Sequence, residues 1–175
     1  MNLNLKAKAE KIKLVAFDVD GVMTDGSLTF AENGMEIKTY NAKDGLGVNM
    51  LNKAGIITAI ITARVNETVR IRAKILDIKE LFEGQKNKVE ALCELCKKYN
   101  LSEDEVAYMG DDLPDLCVLE RVGLSACPND ASYEVQDVCK FISSKAGGHG
   151  AVREFCDFIL KAKNISWKTL NSNKQ

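Results

Sequence analysis

Residues 13–25, KLVAFDVDGVMTD, constrain this chain more than any other stretch. Leu14, Val15, Ala16 and Phe17 form a short apolar run that ends abruptly in acidic residues. A run that short, bounded by Asp and Gly, predicts a buried parallel strand and not a helix. In open α/β sheets the ligand crevice lies just beyond the carboxyl ends of the strands. Asp18 and Asp20 follow the run directly, which puts them together at the mouth of such a crevice. Two carboxylates there are costly unless a cation or a proton-transfer task keeps them. Asp and Gly are also ordinary turn formers, so on this stretch alone an acid-rich turn is the competing reading.

The rest of the chain alternates strand and helix signals. Residues 27–40 (SLTFAENGMEIKTY) place two β-like arms around Asn33-Gly34, a strong hairpin signal. The hairpin carries Leu28, Phe30, Met35, Ile37 and Tyr40, an apolar load that needs covering. A subunit contact and a fold-back onto its own domain both satisfy that need. Lys43-Asp44-Gly45 opens a helix that runs to Ala54 and stops at Gly55. Residues 56–61 read as a β-branched strand ending at Thr62, 65–76 as a helix, 81–82 as a short strand and 87–99 as a helix. Residues 102–105 fit a capping box, but a strand at 106–109 follows almost at once, which leaves a short turn or a false match. Further strands are expected at 123–127 and 140–142, and a last helix at 151–163 after Gly147-Gly148-His149-Gly150. This alternation predicts an α/β fold, a Rossmann-like parallel sheet with helices on both faces. A single domain is expected over residues 1–163, followed by a loose polar tail at 164–175.

Composition removes several functions. The 175 residues suffice for one domain with a substantial core but not comfortably for two. With 24 basic and 25 acidic residues there is no strong positive field to hold nucleic acid. No apolar run approaches a membrane span. The opening MNLNLKAKAEKIK lacks the apolar core of a signal peptide, so the expected compartment is the cytoplasm. Six cysteines include a CxxC at Cys93 and Cys96. Val89, Leu92, Cys93 and Cys96 follow helical spacing, there is no second CxxC, and His149 is the one histidine, so buried reduced thiols are expected.

Chemistry gathers at the strand ends. Asp18 and Asp20 follow the first strand, Thr62 the second and Asp111 a later one, while Lys88 lies one residue into a helix. Carboxylates, a hydroxyl and an ammonium at one sheet edge suit phosphoryl transfer. A hard ion such as Mg²⁺ would bind Asp18 and Asp111. Asp18 would attack phosphorus, and Asp20 would protonate the leaving alcohol and then deprotonate water. Thr62 and Lys88 would hold the phosphoryl oxygens. Singly, Thr62 may be read as a strand end and Lys88 as a solvated lysine, with Lys86 as its competitor; the combination carries the inference.

Asp18-Val19-Asp20-Gly21, Thr62, Lys88 and Gly110-Asp111-Asp112-Leu113-Pro114-Asp115 resemble, in order, the four motifs of the haloacid-dehalogenase (HAD) phosphatase superfamily. A closer resemblance, over nearly the whole chain to Lys163, is to the 3-deoxy-D-manno-octulosonate (Kdo) 8-phosphate phosphatase family. It rests on DVDGVMTDG, the hairpin followed by NAKDGLGV, ITAR, GQKNK, GDDLPD and AGGHGAVRE. The resemblance implies a Mg²⁺-dependent hydrolase that releases Kdo and phosphate in lipopolysaccharide biosynthesis. It implies no separate cap domain, and a homotetramer in which hairpins pack together and a neighbour helps close the site. Asp18, the backbone carbonyl of Asp20 and Asp111 would then hold the metal, with Asp112 and Asp115 supporting. Asn41, Lys43, Asp44 and Gly45 would contact substrate, and Arg64 and Arg72 would reach its carboxylate or hydroxyls. Ala63 stands where the family usually has Gly, Asn49 where Arg is common, and His149 where a basic residue is usual. Related phosphatases for nine-carbon sugar acid 9-phosphates carry an acid at the Arg64 position, so Arg64 favours the eight-carbon acid. Two other classes compete: a receiver-like phospho-Asp signalling module, disfavoured by a hydrolysis-promoting Asp20, and a silent oligomeric scaffold, disfavoured by the intact acidic set.

Overall fold

The computed structural model describes residues 3–171. In chain order the strands are β1 (Leu14–Phe17), β2 (Thr29–Phe30), β3 (Glu36–Ile37), β4 (Ile57–Ile61), β5 (Glu80–Phe82), β6 (Val106–Met109), β7 (Leu124–Cys127) and β8 (Phe141–Ile142). Six of them form one sheet in the order β5-β4-β1-β6-β7-β8, with every pair parallel. The central strand β1 is buried along its whole length, which explains why its sequence is apolar without alternation. Its alternate residues serve two different cores. Val15 and Phe17 join one cluster, and Leu14 and Ala16 join the other.

The first core lies beneath α1 (Leu3–Lys11), α2 (Ala42–Lys53), α3 (Glu67–Ile75) and α7 (Ala151–Ala162). The second lies beneath α4 (Lys88–Tyr99), α5 (Leu116–Leu119) and α6 (Tyr133–Val138). Three of these helices start in the same way. Asn41, Asn66 and Asn87 each stand at the N-cap in extended backbone, and their side chains accept the N–H two residues on, in α2, α3 and α4. Such a side chain satisfies a donor that the first helical turn leaves open.

The expected hairpin is present, with β2 and β3 antiparallel and Thr29 opposite Ile37. Leu28, Phe30, Met35 and Ile37 are all exposed, whereas Tyr40 packs against the first core. The hairpin therefore does not fold its apolar face back onto this chain. The match at residues 102–105 is a true capping box, closing a short 3₁₀ turn at Glu103–Glu105 ahead of β6. Three expectations need correction. Helix α1 was not legible as an element, yet Ala9 is fully buried within it. The stretch expected to be a loose tail contains α8 (Trp167–Asn171), with Ile165 and Leu170 packed against the first core; residues 172–175 lie outside the described residues. The cysteines are free but not uniformly buried. Cys127 and Cys156 are buried while Cys93 and Cys117 are exposed. On α4 the buried stripe is Lys88, Ala91, Leu92 and Leu95, one step away from the thiol stripe.

Candidate active site

Strand register assembles the site. Phe17 of β1 pairs with Ile60 of β4 and Met109 of β6, so the three strands finish almost level. The residues just beyond them are Asp18, Thr62 and Asp111, together at the carboxyl edge where the sheet changes direction. A cavity of about 240 Å³ opens there, lined by Asp18, Asp20, Thr62, Arg64, Lys88 and Asp111 among others. A larger hollow of about 750 Å³ lies at the opposite end of the sheet, beside Ile12, Lys13 and Ile56. It brings together none of the acidic residues of the strand ends, and size alone does not make it the functional site.

Asp18 is held from two sides. Its Oδ1 accepts the Val19 N–H at 2.7 Å, and its Oδ2 lies 2.8 Å from the Lys88 ammonium. Burial raises its pKa to about 6, against the pull of Lys88 and with the push of Asp115. Asp111 is raised further, to about 8, by burial and by the negative charges of Asp115, Asp18 and Asp112. Gly21 lets this crowding occur. It has φ +79°, and a Cβ there would stand 2.0 Å from Asp111 Oδ2, so a side chain would displace the carboxylate.

Lys88, not Lys86, is the buried lysine. Its ammonium also meets Asp115 Oδ1 at 2.6 Å and the Tyr108 hydroxyl at 3.2 Å. Burial works against its charge, but Asp18 and Asp115 outweigh burial and raise its pKa. Asp115 is fully engaged. Its Oδ1 also accepts the Tyr108 O–H at 2.6 Å, and its Oδ2 accepts the N–H groups of Asp111 and Asp112 at 3.0 and 3.3 Å. Asp112 caps the 3₁₀ turn at Leu113–Asp115 through Leu113 N–H. Thr62 is buried, and its hydroxyl accepts the Arg64 N–H at 3.3 Å.

Asp18, Asp111 and Asp115 each offer an oxygen within 4.8 Å of the others. The donors are all carboxylate oxygens, which suits a hard divalent ion. The four hydrogen bonds on Asp115 leave Asp18 and Asp111 as the freer pair. Burial is the first cause of both raised pKa values, and the charge of Asp115 adds to it at each.

Asp20 belongs to a different network. Its Oδ1 takes a hydrogen bond from the Lys38 ammonium, and Arg64 Nε lies 4.0 Å from its Oδ2. Lys38 also contacts Glu36 Oε1 at 2.8 Å, while Glu36 Oε2 accepts from Arg64 Nη2 at 2.7 Å and from Asn66 Nδ2 at 3.0 Å. Burial opposes the Lys38 charge, but hydrogen bonds to Asp20 and Glu36 raise its pKa overall. The hydrogen bonds to Lys38 hold Glu36 below the usual carboxylate range against burial, with the Lys38 and Arg64 charges adding to their effect.

Five expected substrate contacts stand outside the 240 Å³ cavity. Asn41 caps α2 and donates to the Gly148 carbonyl at 3.1 Å. Asp44 is buried, and its Oδ1 accepts the Arg153 N–H at 2.8 Å in the first turn of α7. Arg72 donates to the Asn41 carbonyl at 3.0 Å and sits over the Tyr40 ring, and Gly45 leaves room for its guanidinium. Lys43 is exposed in a separate cleft beside Lys145, His149 and Arg153. Within one chain, Asn41, Asp44, Gly45 and Arg72 form a joint between α2, α3 and α7 and do not line the site. Tyr108, Lys38 and Glu36 are the residues that sequence reasoning missed. Strand alternation carried a signal for two of them, since Glu36 and Lys38 share the face of the hairpin arm opposite Ile37.

Comparison with known proteins identifies the family. A family model described as haloacid dehalogenase-like hydrolase matches residues 36–155. The 3-deoxy-D-manno-octulosonate 8-phosphate phosphatase of Escherichia coli (strain K12) is 43% identical over 157 residues, covering 90% of this chain and 84% of the relative. The crystal structure of the phosphatase of that name from Moraxella catarrhalis, in complex with magnesium ion, phosphate ion and KDO, superposes with a TM-score of 0.91 at 42% identity, covering 93% of this chain and 94% of that one. The Yersinia pestis structure of the same name gives a TM-score of 0.93 at 37% identity, covering 98% and 91%. The chain thus belongs to the haloacid dehalogenase-like hydrolases and, within them, to the family of 3-deoxy-D-manno-octulosonate 8-phosphate phosphatases.

Proposed function

We propose that this chain is a Mg²⁺-dependent phosphatase that hydrolyses Kdo 8-phosphate to Kdo and phosphate through an aspartyl-phosphate on Asp18. The observation that carries it is the meeting of Asp18, Asp20, Lys88 and Asp111 in one small cavity at the strand ends. Asp18 Oδ2 rests beside Lys88, which orients the carboxylate and helps hold the incoming phosphoryl oxygens. Thr62 is placed to offer its hydroxyl to the same oxygens. Asp18 attacks phosphorus, the bond to the sugar oxygen breaks, and Asp20 supplies the proton that the leaving oxygen needs. Asp20 then takes a proton from a water that attacks the acyl phosphate, which frees phosphate and restores Asp18. Asp18, Asp111 and the Asp20 carbonyl are the ligands assigned to Mg²⁺, which when bound offsets the negative charge of the carboxylates and the phosphoryl group. Arg64 is assigned to the sugar carboxylate, for which a guanidinium fork is well shaped. It must exchange Glu36 for the substrate to do so.

The reaction belongs to lipopolysaccharide biosynthesis in the cytoplasm, and the working assembly is a homotetramer with hairpins at the interface. Asn41, Asp44, Gly45 and Arg72 act in it by holding together α2, α3 and α7, and Lys43 faces solvent in the cleft beside His149 and Arg153. The test is phosphate release, with and without Mg²⁺, from Kdo 8-phosphate, a nine-carbon sugar acid 9-phosphate and hexose phosphates. Strong Mg²⁺-dependent preference for Kdo 8-phosphate is expected. Preference for the nine-carbon acid would overturn the role of Arg64, and no turnover by folded protein would overturn the enzyme itself.

A further inference from the structure

We propose that Lys38 is a positioning residue for Asp20, delivered to it by the hairpin; the proposal rests on the acid/base role given to Asp20 above. Asp18 is fixed by the backbone next to it and by Lys88, whose ammonium is anchored on α4 and Asp115. Asp20 has no such scaffold in the sheet. It lies on a turn, its side chain is 24% exposed, and its carboxylate is held by Lys38 from the hairpin. The Lys38 side chain is only 1% exposed, and its ammonium spans Asp20 and Glu36. A buried ammonium is costly without partners, so this one is confined to the place where its two carboxylates meet. Glu36 then closes a ring through Arg64 back to Asp20. The ring carries two positive and two negative charges, and breaking it at Lys38 frees the Asp20 carboxylate to turn. A carboxylate that must hand a proton to one oxygen loses rate when its orientation is lost.

Lys38 touches neither Asp18 nor the phosphoryl-binding pair Thr62 and Lys88, which makes the idea separable from general damage. The experiment measures kcat/KM for Lys38→Met on two substrates, neither of which carries the carboxylate assigned to Arg64: the hexose phosphate that the wild type turns over fastest, and p-nitrophenyl phosphate. This constant covers the steps up to departure of the leaving group. A sugar alkoxide needs a proton to leave, whereas p-nitrophenolate does not. The sugar phosphate value should fall by about tenfold or more and the aryl value by less than about threefold, with Lys38→Arg restoring most of the loss. Near-wild-type aryl turnover also shows that the variant has folded. An equal fall on both substrates, or no fall on either, overturns the proposal. Asp20→Asn is run alongside. If it discriminates between the substrates and Lys38→Met does not, Lys38 alone is misassigned; if it does not discriminate, the acid/base role of Asp20 fails and the proposal fails with it.

Discussion

Asp18 is asked to be a nucleophile in surroundings that favour its neutral form. Burial holds its pKa at about 6 and that of Asp111 at about 8. Both values lie above the ordinary 3.8, so each carboxyl adds stability that is complete below about pH 4 and is lost as pH rises through its folded value. Metal-free protein, prepared with a chelator, should therefore lose thermal stability steadily from pH 5 to pH 8 or so. Added Mg²⁺ should flatten that decline, because a bound cation repays the ionised pair. A chelated sample whose melting temperature does not fall over this range would contradict the crowding described at the site. Asp18→Asn removes the proposed nucleophile while relieving one of the repelling charges. Turnover should drop by a thousandfold or more, on the order seen when a nucleophile is deleted, while the melting temperature of metal-free protein at pH 8 stays equal or rises. Residual activity near wild type in the folded variant would remove Asp18 from its role.

At the level of elements, the joint between α2 and α7 separates two roles for Asp44. As a cap on the first turn of α7, Asp44→Ala should cost about 1–2 kcal/mol in chemical denaturation, with KM for the sugar phosphate little changed. A large rise in KM without loss of stability would return Asp44 to substrate contact. The same joint shows what sequence could and could not convey. Strand ends were legible because a short apolar run followed by Asp, as at Phe17-Asp18 and Met109-Gly110-Asp111, marks both burial and chemistry in one place. The helix at α4 was legible from the helical spacing of Val89, Leu92, Cys93 and Cys96. Asp44 was not, because its partner is a backbone N–H 109 residues away. Lys38 was not either, because Asp20 lies 18 residues away and only the fold brings the two together. Helix α1 is polar on most sides, and its packing, chiefly against α7 and also against β7 and the turn at Glu103–Glu105, shows why it forms.

For the whole molecule, the hairpin leaves Leu28, Phe30, Met35 and Ile37 in water, apolar side chains on both faces of the ribbon that a single chain does not cover. Replacing Phe30 and Ile37 with Ser should shift the assembly from the proposed tetramer toward smaller species in sedimentation velocity, with the fold retained by circular dichroism. Phe30 stands directly opposite Glu36, and of the two only Ile37 lies on the face away from Glu36 and Lys38. A loss of activity on dissociation by Ile37→Ser alone would therefore show that neighbouring subunits complete the site; an unaltered assembly in the double variant would remove the hairpin from the interface. The sheet order has another consequence. Strand β1 is the first strand made, yet one of its two neighbours is β6, about half the chain later. Asp18 and Asp111 can meet only after both have left the ribosome, so a growing chain holds an apolar strand with one edge unpaired until β6 emerges. Such long-range parallel pairing is slow to form and open to aggregation until it does. Expression yield should therefore depend on chaperone capacity during translation more than on the stability of the finished enzyme.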